Sequence, residues 1–115
     1  MRIYLAGPMR GIPYCNFPEF DRVRNILAAS GHEVVSPADI DRQFGFDALK
    51  LPADYDWTQV PDGLVLKDVV ARDLRALQNC EGIYLMKGWE KSAGARAERA
   101  VAEWLGLKVM EGSLG

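Results

Sequence analysis

The sequence predicts an α/β domain in which helices cover both faces of a parallel sheet. Short apolar runs typical of strands alternate along the chain with longer segments of helical period. The segments between successive strands are long, as right-handed crossovers between parallel strands require. We therefore expect one flavodoxin-like or Rossmann-like three-layer domain over residues 1–115, with about four to five strands in the order 2-1-3-4.

Seven segments carry this alternation. The predicted strands are 2–6, 32–36, 82–86 and 107–110, and the predicted helices are 16–30, 65–79 and 93–105. Asn16 and Glu19 have the spacing of a capping box at the start of the first helix. Gly31 and Gly106 supply helix stops, and Pro37 is expected to end the second strand. Residues 38–64 lack clear periodicity, so we expect a long loop or lid there, which could include a helical turn.

Composition excludes several classes of function. The net charge is -2 and the pI is about 5.4, so nothing drives binding to long nucleic acid. No apolar run approaches the roughly 20 residues of a membrane-spanning helix, and the apolar start of the chain is too short for a signal peptide. We expect a soluble cytoplasmic protein without a membrane partner.

The cysteines and the histidine do not form a metal-binding pattern. Cys15, Cys80 and His32 lie far apart or in unsuitable positions, so no metal ligand spacing exists and we expect no metal and no cofactor. Both cysteines are expected to be reduced, Cys80 in the core and Cys15 in a loop. A catalytic pair of Cys15 and His32 is a formal alternative, but His32 follows a helix stop.

Glu98 is the first candidate for chemistry. On a helix over 93–105, Ala97, Val101 and Trp104 share an apolar side, while Arg99 lies opposite. Glu98 falls at the border, where a carboxylate is half sheltered and open from one direction, as a nucleophile or base requires. The alternative is a boundary glutamate that only solvates the helix.

Asp73 is the second candidate, because it interrupts an otherwise apolar face of the helix over 65–79. An ionised carboxylate buried without a partner is costly, so Asp73 has either a partner or a task. An ion pair with Arg72, Arg75 or Arg10 is one interpretation. The other is a general acid or a substrate clamp that works with Glu98, since two carboxylates in unequal environments separate in pKa and suit glycosidic chemistry.

A glycine loop follows the first strand. It lies near the switch point of the predicted sheet, the place between strands one and three where successive connections leave in opposite directions and where ligands of such folds bind. In residues 7–11, backbone N–H groups and Arg10 could contact phosphate, although a tight turn explains the glycines equally well. Ser92 could bind the same anion or only cap the last helix. Trp57 and Trp89 are candidates for stacking on a base, or for packing.

Together these residues form motifs that resemble the nucleoside 2-deoxyribosyltransferase superfamily, and more closely its small phage and bacterial branch of unknown function. The resemblance spans nearly the whole chain. Its carriers are residues 3–11, Asn16, Phe17, residues 31–37, Arg72-Asp73-Leu74, Gly88-Trp89 and the pattern Ser92-x-Gly94-x-x-x-Glu98.

The resemblance implies a role for each matching residue. Glu98 would be the nucleophile that attacks C1′ of a deoxyribosyl group, Asp73 would assist departure of the base or hold the sugar, and Tyr4 would orient the nucleophile. In the nucleotide-hydrolase branch, the positions of Gly7, Arg10, Gly11 and Ser92 bind the 5′-phosphate. The residues expected to bind substrate are Gly7, Met9, Arg10, Gly11, Asn16, Gly88, Trp89, Ser92 and Gly94.

Two departures from the family pattern bear on these roles. Gly7-Pro8 replaces the Gly-Ser of the nucleotide hydrolases and removes one N–H donor, because proline has none. Characterised transferases also use an asparagine or serine near the C-terminus of a neighbouring subunit, for which only Ser113 is a doubtful match. The resemblance still implies a homodimer or larger homo-oligomer.

Three functions follow from these patterns. The first is an enzyme that cleaves or transfers the N-glycosidic bond of a nucleoside or nucleoside 5′-monophosphate through a Glu98 ester. The second is a protein that binds or senses a nucleotide-derived ligand without turning it over. The third is a scaffold for phage or host interactions.

Overall fold

The computed structural model describes residues 1–112 and confirms the predicted α/β class. Four parallel strands form one sheet in the order β2-β1-β3-β4, as predicted. The strands are β1 Arg2–Ala6, β2 Glu33–Val35, β3 Gly82–Leu85 and β4 Lys108–Glu111. The helices are α1 Phe17–Ala29, α2 Pro37–Gln43, α3 Leu66–Gln78 and α4 Ala93–Leu105.

Alternation along β1 and β3 divides the core into two layers. Ile3 and Leu5 face α1 and pack with Phe20. Tyr4 and Ala6 face the opposite way, toward α3 and α4, in a cluster completed by Leu77, Ile83, Leu85, Ala95 and Ala102. Because side chains of a strand alternate between faces, one five-residue strand supplies both layers. We call these the α1 face and the α4 face of the sheet.

Loops after β1 and β3 approach each other at the carboxyl ends of these neighbouring strands. A Cβ on Gly7 would lie 2.9 Å from the Met86 Cβ, and a Cβ on Gly88 would lie 3.3 Å from the Pro8 Cγ. Gly88 also has a φ of 87°, which strains other residues. Glycine at both positions therefore brings the two loops into contact at the switch point.

The expectation of a loop or lid over 38–64 was wrong for its first part. Pro37 begins α2 rather than only ending β2, since proline suits the first helical turn and the buried Ser36 caps it by accepting a hydrogen bond from the Ala38 N–H at 3.3 Å. A short 3₁₀ helix, Ala48–Lys50, follows. The helix is too short for its periodicity to show in the sequence.

The predicted capping box at the start of α1 was also wrong. Asn16 has a left-handed backbone with φ 61°, and its side chain donates instead to the Pro8 carbonyl at 2.9 Å. Glu19 pairs with Arg22. Tyr14 and Cys15 are left-handed as well, so a tight turn precedes α1 and leaves Cys15 buried rather than in an open loop. Cys80 is buried as predicted, and neither cysteine forms a disulfide.

Apolar stripes on α3 and α4 are less buried than their patterns predict. Trp104 is 88% exposed, and Leu66 and Val70 are about half exposed. The sheet is covered instead by the end of α3 at Leu77 and by small α4 residues such as Ala95. Among the helices of residues 1–112, none has the length and apolar character to span a membrane.

Candidate active site

Glu98 and Tyr4 meet on the α4 face of the sheet. Ser92 caps α4 by accepting a hydrogen bond from the Ala95 N–H at 3.1 Å, which confirms its capping role and fixes where the helix begins. Glu98 lies further along α4 and is half-buried. Its Oε2 accepts a short hydrogen bond from the hydroxyl of Tyr4, a fully buried residue in the middle of β1.

This environment changes the acidity of both groups. The pKa of Glu98 is raised to about 8 by burial and, to a smaller extent, by the charge of Asp73. The hydrogen bond from Tyr4 opposes this rise. Burial, together with the negative charges of Glu98 and Asp73, raises the pKa of Tyr4. The tyrosine therefore stays protonated and acts only as a donor to the carboxylate.

Asp73, on α3, lies near this pair without an ion-pair partner of its own among residues 1–112. Its Oδ1 is buried and accepts no hydrogen bond there. Burial raises the pKa of Asp73 to about 7, the charge of Asp41 adds to the rise, and Arg72 opposes it. The alternative of an ion pair between Asp73 and an arginine is not what the structure shows.

Arg72 instead approaches Asp41, a residue that our sequence analysis missed. Asp41 is 4% exposed, and its Oδ1 lies 3.7 Å from an Arg72 terminal nitrogen. The arginine also stacks over the Phe44 ring at 4.1 Å. Burial raises the pKa of Asp41 to about 6, with Arg72 lowering it in part. The cluster thus holds three carboxylates and one arginine beside Tyr4.

A sequence signal for Asp41 did exist. Ser36-Pro37 is a pattern typical of a helix start. Asp41 follows one turn later, next to Ile40 in sequence, and lies between apolar positions of that helix. Treating the segment as a loop concealed that pattern. The carboxylates do not form a metal centre, because the described residues contain no group of three or more potential ligands arranged to hold an ion.

The predicted substrate-binding residues do not all gather around Glu98. Several line a cleft of about 740 Å³ on the α1 face, beyond the point where the two loops meet: Arg10, Gly11, Asn16 and Gly88. Gly7 packs on Met86, and Met9 packs against the core of the α1 face. The three predicted catalytic residues therefore lie on the other face of the sheet from most of the glycine loop, residues 7–11, that was predicted to bind phosphate.

The two tryptophans that were candidates for stacking on a base pack against other residues of the protein. Trp57 is buried, and its ring centroid lies 5.2 Å from that of Tyr14 and 5.1 Å from that of Tyr55, so packing explains it. Trp89 packs against the core of the α4 face beneath Arg99. Gly94 lies in the first turn of α4 and is exposed. Ser113 lies outside the described residues.

A model of a domain of unknown function, DUF4406, matches residues 1–111. The chain belongs to the DUF4406 family. No curated protein matches it.

Chemically, this DUF4406 domain offers an oriented carboxylate beside a second carboxyl group of lower pKa. Tyr4 occupies Oε2 of Glu98, while Oε1 accepts no hydrogen bond among residues 1–112. Because the pKa of Asp73 is the lower of the two, the form with Asp73 ionised and Glu98 protonated predominates near neutral pH, and the form with Glu98 ionised and Asp73 protonated is the minor one. Such a pair can combine nucleophilic attack with proton donation.

Proposed function

We propose that the protein cleaves or transfers the N-glycosidic bond of a nucleoside or nucleoside 5′-monophosphate, with Glu98 as nucleophile. The observation that carries the proposal is the hydrogen bond from the buried Tyr4 hydroxyl to Glu98, beside the unpaired carboxyl group of Asp73. The resemblance to the deoxyribosyltransferase superfamily supports the same three residues. Tyr4 and Glu98 thus combine burial with a carboxylate whose second oxygen accepts no hydrogen bond among residues 1–112.

In the proposed reaction, Oε1 of ionised Glu98 attacks C1′ of the sugar while the bond from C1′ to the base nitrogen breaks. The protonated carboxyl group of Asp73 gives its proton to the departing base, and a glycosyl ester of Glu98 remains. Water releases the sugar in a hydrolase, whereas a second base takes it in a transferase. Tyr4 holds the carboxylate so that one oxygen stays directed at the sugar.

A panel of deoxynucleosides and their 5′-monophosphates tests this proposal. Each compound is incubated with the protein, with and without a second free base, and free base and new nucleosides are separated by chromatography. We expect release or exchange from at least one compound, and a loss of about 10³-fold or more in Glu98→Gln. The matched control is Glu103→Gln, an exposed glutamate on the same helix, which should retain full activity.

Other results would redirect the proposal. Saturable binding of a nucleotide, measured by calorimetry, without any release of base would favour the binding or sensing function. Neither binding nor release would favour the scaffold. Base release that survives in Glu98→Gln would exclude Glu98 as the nucleophile while leaving the substrate class intact.

We also propose that the protein acts as a homodimer or larger homo-oligomer. Trp104 is 88% exposed on α4, and Leu66 and Val70 are exposed on the neighbouring α3, so both helices retain apolar surface. The family resemblance implies the same. Light scattering after gel filtration should give a multiple of the 12.8 kDa chain mass, and Trp104→Ser should lower it. A monomeric mass for the unaltered protein would contradict this proposal.

A further inference from the structure

The cleft on the α1 face has a charge opposite to that of the protein. Its cationic lining comes from three parts of the chain: Arg10 in the loop after β1, Arg22 on α1, and Lys87 and Lys91 in the connection from β3 to α4. Among residues 1–112, Glu19 is the one acidic residue of its lining, so these described residues give the cleft a net of three positive charges in a chain whose net charge is -2. Such a local excess attracts anions.

Three of these four cations, Arg10, Lys87 and Lys91, have no counter-ion in the part of the chain that the structure describes. Glu19 pairs with Arg22, its Oε1 lying 2.5 Å from an arginine nitrogen. Within residues 1–112, Arg10, Lys87 and Lys91 form no ion pair, and all three side chains are exposed. Their charges therefore remain available to a ligand that enters the cleft.

Part of the lining of the cleft is formed by buried, mostly apolar side chains. Val23, Tyr84 and Met86 are buried residues that line it from α1 and β3. The Tyr84 hydroxyl donates to the Gly112 carbonyl at 2.9 Å, which ties this part of the lining to the segment after β4. At about 740 Å³, the cleft has the size of small-molecule sites, and its lining can contact both a charged group and an uncharged portion of one ligand.

This cleft is separate from the carboxylate cluster. Tyr84 and Met86 point to the α1 face, whereas Tyr4, with Glu98 above it, belongs to the α4 face. Pro8, in the loop after β1, contacts Gly88, in the loop after β3, and both residues line the cleft. Binding in the cleft consequently does not depend on the chemistry proposed for Glu98.

From this geometry we propose that the cleft binds a small molecule carrying a diphosphate or longer phosphate chain, with Lys87 and Lys91 as its principal contacts. One phosphate ester carries only about 1.5 to 2 negative charges near neutral pH. Glu19 and Arg22 on α1 offset each other, so the three net positive charges come from Arg10, Lys87 and Lys91 in the two loops. They match an anion with at least two linked phosphates better than a single phosphate. Phosphate oxygens can bridge the lysines, while Arg10 offers a planar fork to the same chain.

Calorimetry with inorganic pyrophosphate tests the site, with orthophosphate as the reference anion. We expect pyrophosphate to bind more tightly than orthophosphate, and its affinity to fall about tenfold or more in the Lys87→Gln, Lys91→Gln double variant. The matched control is Lys67→Gln, Lys108→Gln, which removes two exposed lysines outside the cleft and should bind pyrophosphate normally. Circular dichroism verifies that both double variants are folded.

Glu98→Gln separates this inference from the proposed glycosidic function, because it should retain the pyrophosphate affinity whether or not base release occurs. Three results would overturn the inference: no binding of pyrophosphate, equal affinity for both anions, or equal losses in the two double variants. Equal losses would mean that pyrophosphate responds only to the overall charge of the protein.

Discussion

The two faces of the sheet carry charged groups of opposite sign and different exposure: buried carboxyl groups on the α4 face and exposed lysines on the α1 face. On the α4 face, Glu98, Asp73 and Asp41 are mostly withdrawn from water, and burial raises the pKa of each carboxyl group. On the α1 face, exposed Lys87 and Lys91 surround an open cleft. The fold thus separates carboxyl groups whose protonation is adjusted by burial from exposed cationic side chains that face an open cleft.

After Glu98→Gln, Asp73→Asn should have the largest effect. We expect base release to fall about 10² to 10⁴-fold, because the amide cannot donate the proton that the leaving base needs. The loss should be smaller for substrates whose base leaves without protonation. Steady-state rates on both kinds of substrate measure this, and Asp68→Asn, an exposed aspartate on the same helix, should leave them unchanged. Equal losses on both kinds would assign Asp73 to binding.

Arg72→Gln tests whether the buried acidic cluster depends on its one arginine. Removing the cation leaves the buried Asp41 carboxylate without its partner at 3.7 Å, so we expect a loss of about 2 kcal/mol in the free energy of unfolding at neutral pH. Urea denaturation measures it. Arg75→Gln on the same helix, at an exposed position, should cost much less. A similar cost for both variants would show that the pair contributes little.

The pH dependence of base release sharpens the assignment of roles. Ionised Glu98 and protonated Asp73 are required together, so with pKa values of about 8 and about 7 the rate should be bell-shaped with its maximum between them. Tyr4→Phe removes the hydrogen bond that lowers the pKa of Glu98, so the maximum should move to higher pH and the rate near neutrality should fall about tenfold. An unmoved maximum would contradict the orienting role of Tyr4.

Stability should respond to pH in the direction set by the raised pKa of Glu98. Its pKa rises from 4.5 to about 8 on folding, so the stability that it contributes is present below the lower value and is lost as pH rises through about 8. Each unit of pKa shift corresponds to about 1.4 kcal/mol, so Glu98→Gln, which keeps an acceptor for Tyr4, should be more stable than the unaltered protein by up to about 5 kcal/mol at about pH 9. At about pH 4 the two proteins should be nearly equal in stability. Urea denaturation at both pH values distinguishes this from a pH-independent change.

The smallest effect should come from the open cleft. Because Lys87 and Lys91 are exposed and form no ion pair within residues 1–112, the double variant to glutamine should change the free energy of unfolding by no more than about 0.5 kcal/mol. Thermal denaturation near neutral pH measures the difference. A loss comparable to that of Arg72→Gln would show that the lysines stabilise the fold, and the contrast between the two faces would fail.

Much of the fold was predictable because its signals are local. β1 and α4 were predicted with the bounds that the structure gives, and Gly106 ends α4 with a positive φ of 74° as expected. Strand order 2-1-3-4 followed from the rules for right-handed crossovers. The seven-residue helix α2 escaped prediction, since two turns give too few apolar positions for a period to be recognised.

The candidate site was predictable only in part. Asp73 became a candidate because it interrupts an apolar helical face, Glu98 because it lies at the border of another such face, and Tyr4 because it matches the family motif. Asp41 was missed because its helix was missed. The cleft with Lys87 and Lys91 was missed for another reason: an exposed lysine carries no local signal, and only the approach of two loops and α1 brings these charges together.

Local sequence patterns were sufficient to predict the α/β class, the strand order and two candidate carboxylates, Asp73 within one apolar stripe and Glu98 at the border of another, because periodicity and helix stops are encoded within short windows of chain. Tertiary structure alone decided which groups meet. It directed the Tyr4 hydroxyl to Glu98, brought Arg72 to Asp41, and placed most of the predicted phosphate loop on the opposite face from the carboxylates. The physical reason is that successive side chains of a strand point to opposite faces, so which partners they meet depends on how the helices pack.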